Sequence, residues 1–376
     1  MSEELQTIVI DNGSGMMKAG WAGEESPKSV FPSIVSHTFD DLYVGDRALQ
    51  YRVYSSIRHP IQRGSINDWG DLEKIYEYIF RSVLETDSSK NPILITRPYG
   101  NPKEESEKMI QLMFETFNVP SFYTDYQSRL SLYSSGRSTG IVLEIGDGIT
   151  QITSIIKDYT KCSDNSKIIP NASTKINIGG TDITNYIQRM LFDKGCDQTC
   201  KFQTFQEIKE KYCYVKNYGK DQFYIIPGSI DVRNDRGKVD FSLPDGNTIV
   251  LDNERSIAPE LLFEPYYIGL NNDGIHDLIF ENIQKVNSDD RKDLYLNIVL
   301  SGGSTMFEGL PKRIEEEIIS KAPPTMKVKV VAPPERKVAA WIGGSIEACL
   351  ATFPDMLITK EEYNDAGAAI VNRKCF

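Results

Sequence analysis

Two short segments combine an acidic residue with closely spaced glycines, the residue types that bind phosphate. They read DNGSG at residues 11–15 and EIGDG at residues 144–148, and each follows an apolar run. Glycine permits a tight turn and leaves no side chain over the backbone N–H groups, so that several N–H groups converge on one anion. Two such turns facing each other would hold a polyphosphate from both sides.

The two segments superpose with an offset of 133 residues (144 minus 11), which indicates a weak internal repeat. Their acids, Asp11, Glu144 and Asp147, predict a divalent metal ordered through its water shell, and Mg²⁺ suits such a site because it keeps several waters. Lys18, which we place at the end of the second strand of the first hairpin, would neutralise phosphate charge. Ordinary β-hairpins remain the alternative for either copy alone, but the paired occurrence favours the phosphate interpretation. Neither a Walker motif nor a GxGxxG that opens a helix occurs.

Composition and charge narrow the functional class. The 376 residues include 40% hydrophobic residues, enough for two or three domains. The 42 basic and 53 acidic side chains give a formal charge of −11, which argues against nucleic acid or an anionic membrane as a default partner. No apolar run approaches the roughly 18 residues of a membrane span, and the acidic start MSEELQT is unlike a presequence. We expect a cytoplasmic location, with the nucleus as the alternative.

The cysteines are scattered and form no paired CxxC framework, so reduced thiols are expected. Cys196 and Cys200 are four residues apart, which keeps a metal site as a minor alternative, although the histidines are distant in sequence. The six cysteines are Cys162, Cys196, Cys200, Cys213, Cys349 and Cys375, and the three histidines are His37, His59 and His276.

The spacing of apolar residues predicts an α/β protein. Short apolar runs at 7–10, 92–96 and 140–143 are typical of strands, and helical spacing occurs around residues 72–83, 109–117 and 183–191. The NPKE segment predicts a helix start with Asn101 as N-cap and Pro102 as the first helical residue. No linker or low-complexity tract divides the chain, which indicates interleaved domains.

The sequence around the two turns resembles actin and the actin-related proteins over nearly the whole chain. The matching segments occur in actin order and identify the chain as a divergent member of that family, without assigning a named subtype. They are FPSIV at 31–35, YVGD at 43–46, MFETFNVP at 113–120, SLYSSGRSTGIVL at 131–143, RKDLY at 291–295, SGGSTMF at 301–307, APPERK at 332–337, WIGGS at 341–345 and the terminal RKCF.

The resemblance implies an actin-like ATPase fold, with two RNase H-like α/β lobes around a nucleotide cleft and a smaller subdomain in each lobe. The outer lobe would comprise residues 1–134 and 339–376, with its subdomain near 33–59. The inner lobe would comprise residues 135–338, with its subdomain near 179–270. This insertion of one lobe into the other agrees with interleaved domains.

By the same resemblance, the cleft binds ATP or ADP with Mg²⁺ or Ca²⁺. Asp11 and Asp147 would hold the metal through water. Two actin arginines are replaced by Thr181 and Gln206, which would weaken affinity. The matching nucleotide positions are Gly13, Ser14, Gly15, Lys18, Gly146, Asp147, Gly148, Thr150, Gly180, Lys209, Glu210, Gly302, Gly303, Ser304, Met306, Phe307 and Lys337.

The resemblance also implies ATP hydrolysis, with Asp11, Gln127, Glu144, Asp147 and Gln151 as candidate catalytic residues. Gln127 matches the glutamine that orients the attacking water, and an amide can both donate and accept a hydrogen bond. Glu144 stands where actin has aspartate, and Gln151 where actin has histidine. Because in-line attack is sensitive to displacements of about 1 Å, these changes would slow hydrolysis by about 10² or more without abolishing binding.

Two stretches differ in length from their actin counterparts. Between Val35 and Tyr43 the chain reads SHTFDDL, shorter than the actin loop that inserts into the next filament subunit, so longitudinal contact should be weaker. Residues 157–171 are longer, and we expect a surface loop there. The end of the chain, 363–376, resembles that of actin, which implies binding of actin regulators in the groove beneath it.

Three functional hypotheses remain open. The first is an ATP-binding cytoskeletal protein that joins or regulates actin-type filaments, with slow ATPase activity. Its partners would be actin-like subunits, of itself or of conventional actin, and actin-binding proteins. The second is a non-polymerising subunit of a larger complex that uses ATP as a clamp between lobes. A sugar kinase or chaperone ATPase of the same fold is disfavoured, because we find no further carboxylate base and no peptide-binding domain.

Overall fold

The structure is a computed structural model that describes residues 6–38, 41–51, 56–157, 166–197, 200–217, 236–243 and 246–375. Its strands are β1 (Ile8–Asn12), β2 (Met16–Trp21), β3 (Ser29–Pro32), β4 (Val35–His37), β5 (Leu42–Val44), β6 (Ser56–Arg58), β7 (Ile61–Gln62), β8 (Ser65–Ile66), β9 (Ile93–Arg97), β10 (Ser121–Tyr126), β11 (Gly140–Ile145), β12 (Thr150–Lys157), β13 (Ser166–Ile176), β14 (Val239–Ser242), β15 (Thr248–Leu251), β16 (Ile298–Ser301), β17 (Val330–Val331) and β18 (Ile358–Thr359). Its α-helices are α1 (Asp46–Tyr51), α2 (Trp69–Tyr78), α3 (Lys103–Gln111), α4 (Gln127–Ser134), α5 (Gly180–Asp193), α6 (Phe202–Tyr212), α7 (Glu254–Glu260), α8 (Ile275–Gln284), α9 (Ser288–Leu296), α10 (Leu310–Lys321), α11 (Ala339–Glu347), α12 (Phe353–Met356), α13 (Lys360–Ala366) and α14 (Val371–Lys374).

Two sheets of equivalent topology organise this part of the chain. The first has the strand order β18-β10-β9-β1-β2-β3, and the second has the order β13-β12-β11-β16-β17. In each sheet an antiparallel meander of three strands is followed by two strands parallel to its first strand. The repeat predicted from the two turns is therefore a repeat of five strands, to which the first sheet adds β18, antiparallel to β10.

The two hairpins that carry the turns share one register. Asp11 pairs with Lys18 across β1 and β2, and Glu144 pairs with Gln151 across β11 and β12. Lys18 and Gln151 are thus equivalent positions of the repeat. The prediction that Lys18 lies at the end of its strand is wrong, because Lys18 is the third residue of β2.

Each sheet forms the centre of a hydrophobic core covered by helices. In the first core, Ile8 and Ile10 of β1 are fully buried together with Leu72 of α2. In the second, Leu143 of β11 packs with Ile187 of α5. Strands buried on both faces read as continuous apolar runs, which is why the sequence predicted the strands at 7–10, 92–96 and 140–143, and the three predicted helices are present as well.

The start of α3 differs from the prediction. The N-cap is Pro102, whose extended backbone lies outside the helix, and no side chain caps the first turn. The Asn101 side chain instead donates to the carbonyl oxygen of Gly64 at 2.7 Å and to Glu105 at 2.8 Å. Asn101 was therefore wrongly predicted as the N-cap, because its amide is used in a tertiary contact.

The helices that follow the fifth strand of each repeat, α4 and α11, pack against each other. A Cβ atom at Gly343 of α11 would lie 1.9 Å from the carbonyl oxygen of Leu130 in α4, so that only glycine permits this crossing. The chain passes between the two sheets at these helices. The lobe boundaries predicted at residues 134 and 339 coincide with the end of α4 and the start of α11 and remain predictions, as do those of the subdomains.

The stretches predicted to differ in length are partly described. Strands β4 and β5 form an antiparallel pair from Val35–Val44 to His37–Leu42, and residues 39–40 lie outside the described residues. The prediction of a surface loop over 157–171 is wrong for Lys157, which belongs to β12, and for residues 166–171, which belong to β13 and pair with β12. Residues 158–165 lie outside the described residues, as does Phe376. Among the described residues, no helix has the length and apolar character needed to cross a membrane.

Candidate functional site

The two glycine turns lie against each other. A Cβ atom at Gly15 would lie 2.6 Å from the Cβ atom of Asp147, and one at Gly148 would lie 3.1 Å from Ser14 Oγ. Contacts below 3 Å are not tolerated by real side chains, so that Gly15 in particular must remain glycine. The structure therefore brings together the two turns that the sequence predicted to face each other.

Asp11 forms the charged centre of the first turn. Its side chain is buried and accepts hydrogen bonds from Lys18 Nζ at 2.7 Å, Thr96 Oγ1 at 2.5 Å and Gln127 Nε2 at 2.9 Å. Burial alone would raise the pKa of Asp11, but the charge of Lys18 and the three hydrogen bonds lower it. Asp11 is therefore held as a carboxylate.

Gln127 begins α4 directly behind the first turn. Its amide nitrogen donates to Asp11, to the carbonyl oxygen of Asn12 at 3.1 Å and to Thr96 Oγ1 at 3.2 Å. These bonds fix the amide plane, and an amide oxygen such as Oε1 can accept a hydrogen bond. Asn12 and Thr96, which both contact the Gln127 amide, also line a cavity of about 40 Å³, and such a volume holds a few waters.

Glu144 is the second acid of the centre and behaves differently from Asp11. Its Oε2 atom is buried without a hydrogen-bond partner among the described residues. Burial and the neighbouring carboxylate of Asp11 raise its pKa to about 8, although Lys18 opposes the shift. Glu144 is therefore mainly protonated at neutral pH in the absence of a cation.

Gln151, opposite Glu144 in the hairpin, connects the second turn to the first sheet. Its Nε2 donates to the carbonyl oxygen of Tyr99 at 2.6 Å, whereas its buried Oε1 has no hydrogen-bond partner within the described part of the chain. Its amide donor is thus committed to the backbone. Thr150 is likewise committed, since its hydroxyl donates to the carbonyl oxygen of Ile178 at 2.8 Å.

The start of α5 supports the second turn. Gly180 N donates to the carbonyl oxygen of Gly146, and the Thr181 hydroxyl donates to Asp147 Oδ2 at 2.7 Å. Thr181 therefore orients Asp147. Lys209 of α6 is buried, and its Nζ donates to the carbonyl oxygen of Gly180 at 3.0 Å. Burial lowers the pKa of Lys209, and Asp147 partly opposes that shift.

Only some of the positions predicted to surround the nucleotide base lie close to the second glycine turn. Ser304 Oγ donates to the carbonyl oxygen of Gly146 at 3.0 Å, and Gly302, at φ 93°, lies so close to Ile145 that a Cβ atom would meet its carbonyl oxygen at 2.3 Å. Phe307 is buried in the second core. The remaining positions, Glu210, Gly303, Met306 and Lys337, are exposed.

Two side-chain bridges join the residues around the first glycine turn to those around the second, and the sequence analysis missed both. Arg63, in the turn between β7 and β8, binds Asp182 of α5 at 2.5 and 2.7 Å and donates to the carbonyl oxygen of Gly148 at 2.9 Å. Lys175 of β13 donates to Asn101 at 2.8 Å. Neither bridge follows a local pattern, so no sequence signal could have found them.

A divalent cation fits the acids of this centre. The carboxylate of Asp11, that of Asp147 and the unpartnered Oε2 of Glu144 are oxygen ligands of the type that Mg²⁺ and Ca²⁺ prefer. Among the residues described, no group of three or more His, Cys, Asp or Glu side chains is placed to hold a metal ion directly, so these acids would hold a cation through its water molecules. The same finding gives the alternative metal site at Cys196 and Cys200 no support.

The chain matches a protein-family model. The family is described as Actin, and the match runs over residues 2–376. It thus includes both sheets, both glycine turns and the α4–α11 crossing.

Proposed function

Because this chain belongs to the actin family, a family of nucleotide-binding proteins, we propose that it binds ATP or ADP with a divalent cation between its two glycine turns. The proposal rests on the close approach of the two turns, in which Gly15 contacts Asp147 and Ser14 contacts Gly148. A nucleotide placed there touches both sheets, so that its binding joins the two halves of the molecule.

Each group of the centre has a distinct part in the proposed binding. The glycine turns present backbone N–H groups to the phosphates, and Lys18 and Lys209 supply positive charge close to them. Asp11 and Asp147 would hold the cation through water. Bound Mg²⁺ would neutralise phosphate charge, and its charge would favour the ionised form of Glu144.

Hydrolysis is proposed to be slow. Gln127 is held by Asp11 and Thr96 with its acceptor oxygen available to orient a water. Gln151, however, has its amide donor bound to Tyr99 and has no group that takes up a proton near neutral pH. The longer side chain of Glu144 also changes the position of the second acid. The geometry thus supports the holding of ATP better than its hydrolysis.

Replacement of Lys18 tests the binding site. Lys18→Met keeps the length of the side chain but removes the charge that Asp11 and the phosphates share, and we expect a loss of ATP affinity of tenfold or more, equal to about 1.4 kcal/mol. Lys28→Met, at an exposed lysine that directly precedes β3, is the matched control. Titration with a fluorescent ATP analogue and Mg²⁺ measures both variants. Equal affinity of the Lys18→Met variant and the control would contradict the site.

We also propose a cytoskeletal role in the cytoplasm, with the nucleus as the alternative location, in contact with actin-like subunits and actin-binding proteins. Only residues 38–41 separate the paired strands β4 and β5, which leaves little chain for a longitudinal contact, so a second candidate is a non-polymerising subunit of a larger complex. Sedimentation with Mg²⁺ and ATP, alone and with conventional actin, separates the two. Polymer of the chain alone or co-sedimentation with actin supports the first, and a monomer that retains nucleotide supports the second.

A further inference from the structure

A pair of cysteines lies where α5 is followed by α6. The Sγ atoms of Cys196 and Cys200 are 3.7 Å apart, and both residues are partly exposed. The backbone holds each cysteine in place, since Cys196 N donates to the carbonyl oxygen of Leu191 and Cys200 N to that of Asp197. Both thiols are thus adjacent to each other and accessible to a small reagent.

We propose that Cys196 and Cys200 form a redox-active dithiol that a low-molecular-weight disulfide, such as glutathione disulfide, oxidises to an intramolecular disulfide. The Cys196 thiol donates toward Cys200 Sγ, so that Cys200 is the acceptor of the pair, and the thiolate is the attacking species in thiol–disulfide exchange. Cys200 is therefore the first nucleophile.

The reaction proceeds by two thiol–disulfide exchanges. The Cys200 thiolate attacks one sulfur of the reagent, forms a mixed disulfide and releases one thiolate. The Cys196 thiolate then attacks Cys200 Sγ, closes the bond between the two protein sulfurs and releases the second thiolate. The protein loses two electrons and two protons, and the reagent disulfide is reduced to two thiols.

The bond would join two helices that already touch at the nucleotide site. Lys209 of α6 donates to the carbonyl oxygen of Gly180, the first residue of α5. The two cysteines lie between the end of α5 and the start of α6, whereas the contact of Lys209 with Gly180 lies at the start of α5. The disulfide would thus hold the helix pair at a second point.

A convenient peptide isolates the site from the other thiols. Cleavage after Lys194 and Lys201 yields residues 195–201, GCDQTCK, which contains both cysteines and no other. The full-length protein is incubated in glutathione buffers of rising disulfide-to-thiol ratio, quenched with acid, unfolded, alkylated and digested. Mass spectrometry reads the oxidation state of this peptide and the glutathione adduct on the exposed Cys349.

The expected result is a peptide lighter by two hydrogens and closed to alkylation. Its half-oxidation should require a disulfide-to-thiol ratio at least about tenfold below that which half-modifies Cys349, because the second exchange is intramolecular. Cys196→Ser should accumulate a mixed disulfide at Cys200, whereas Cys349→Ser should behave as the wild type. A wild-type peptide that stays doubly alkylated, or that carries glutathione on both cysteines, would overturn the proposal.

Discussion

Removal of the Arg63 bridge should accelerate nucleotide release. Arg63 extends from the β7–β8 turn to Asp182, to Gly148 and to the carbonyl oxygen of Asn177 at 3.2 Å. The Arg63 side chain is 42% exposed and that of Asp182 11%, so the ion pair itself is worth only about 1 kcal/mol or less. The two backbone hydrogen bonds add about 0.5–1.5 kcal/mol each.

The bridge as a whole is therefore worth about 2 kcal/mol. If the turns must separate before nucleotide leaves, Arg63→Ala should speed release by roughly 30-fold, because each 1.36 kcal/mol is a factor of ten. Arg58→Ala is the matched control, since Arg58 forms its ion pair, at 3.9 Å, with Asp71 of α2, a helix that packs on the first sheet. Chase of a fluorescent nucleotide by excess ATP measures the rate in each variant. A rate for Arg63→Ala within twofold of the control would refute the idea that this bridge restrains opening.

Two further changes examine the acids and the water site. The double variant Glu144→Asp and Gln151→His should raise phosphate release by about 10² or more with little change in ATP affinity, and wild-type turnover already equal to that of conventional actin would contradict this. In the nucleotide-free protein, Glu144 has a pKa of about 8 against an ordinary value of 4.5, so the folded state binds a proton that the unfolded state releases between these values. Stability should fall by about 1.4 kcal/mol per pH unit across that window and stay constant above it. Urea unfolding should show no such slope for Glu144→Gln, and an unchanged slope in that variant would assign the effect to another group.

The strands and the repeat could be predicted from the sequence because their signals are local. Strands β1, β9 and β11 are buried on both faces and read as continuous apolar runs. The turns at Asp11 and Glu144, each with an acid and closely spaced glycines, follow such strands directly. Their equivalence could therefore be predicted from the two sequence segments alone, without the sheet topology. The family resemblance supplied the order of the remaining segments.

The contacts that assemble the site could not be predicted, because their partners are far apart in the chain. Thr96 and Asp11 are separated by 85 residues, Gln151 and Tyr99 by 52, and Arg63 and Asp182 by 119. A single threonine or arginine has no periodicity that reveals its partner. The failure of Asn101 as an N-cap has the same origin, since the local pattern was correct but a tertiary contact took the side chain.

The two halves of the repeat differ most in the distribution of charge. Both hairpins place a residue opposite the acid, but the first supplies the cation Lys18 and the second the neutral Gln151. One lysine thus lies near two carboxyl groups, and it bonds directly to Asp11. Asp11 therefore remains ionised, and Glu144, which has no cation of its own and lies near the negative charge of Asp11, retains a proton. A bound divalent cation supplies the missing positive charge, so its binding should release a proton from Glu144, and the affinity of the nucleotide-free protein for Mg²⁺ should rise with pH up to about 8.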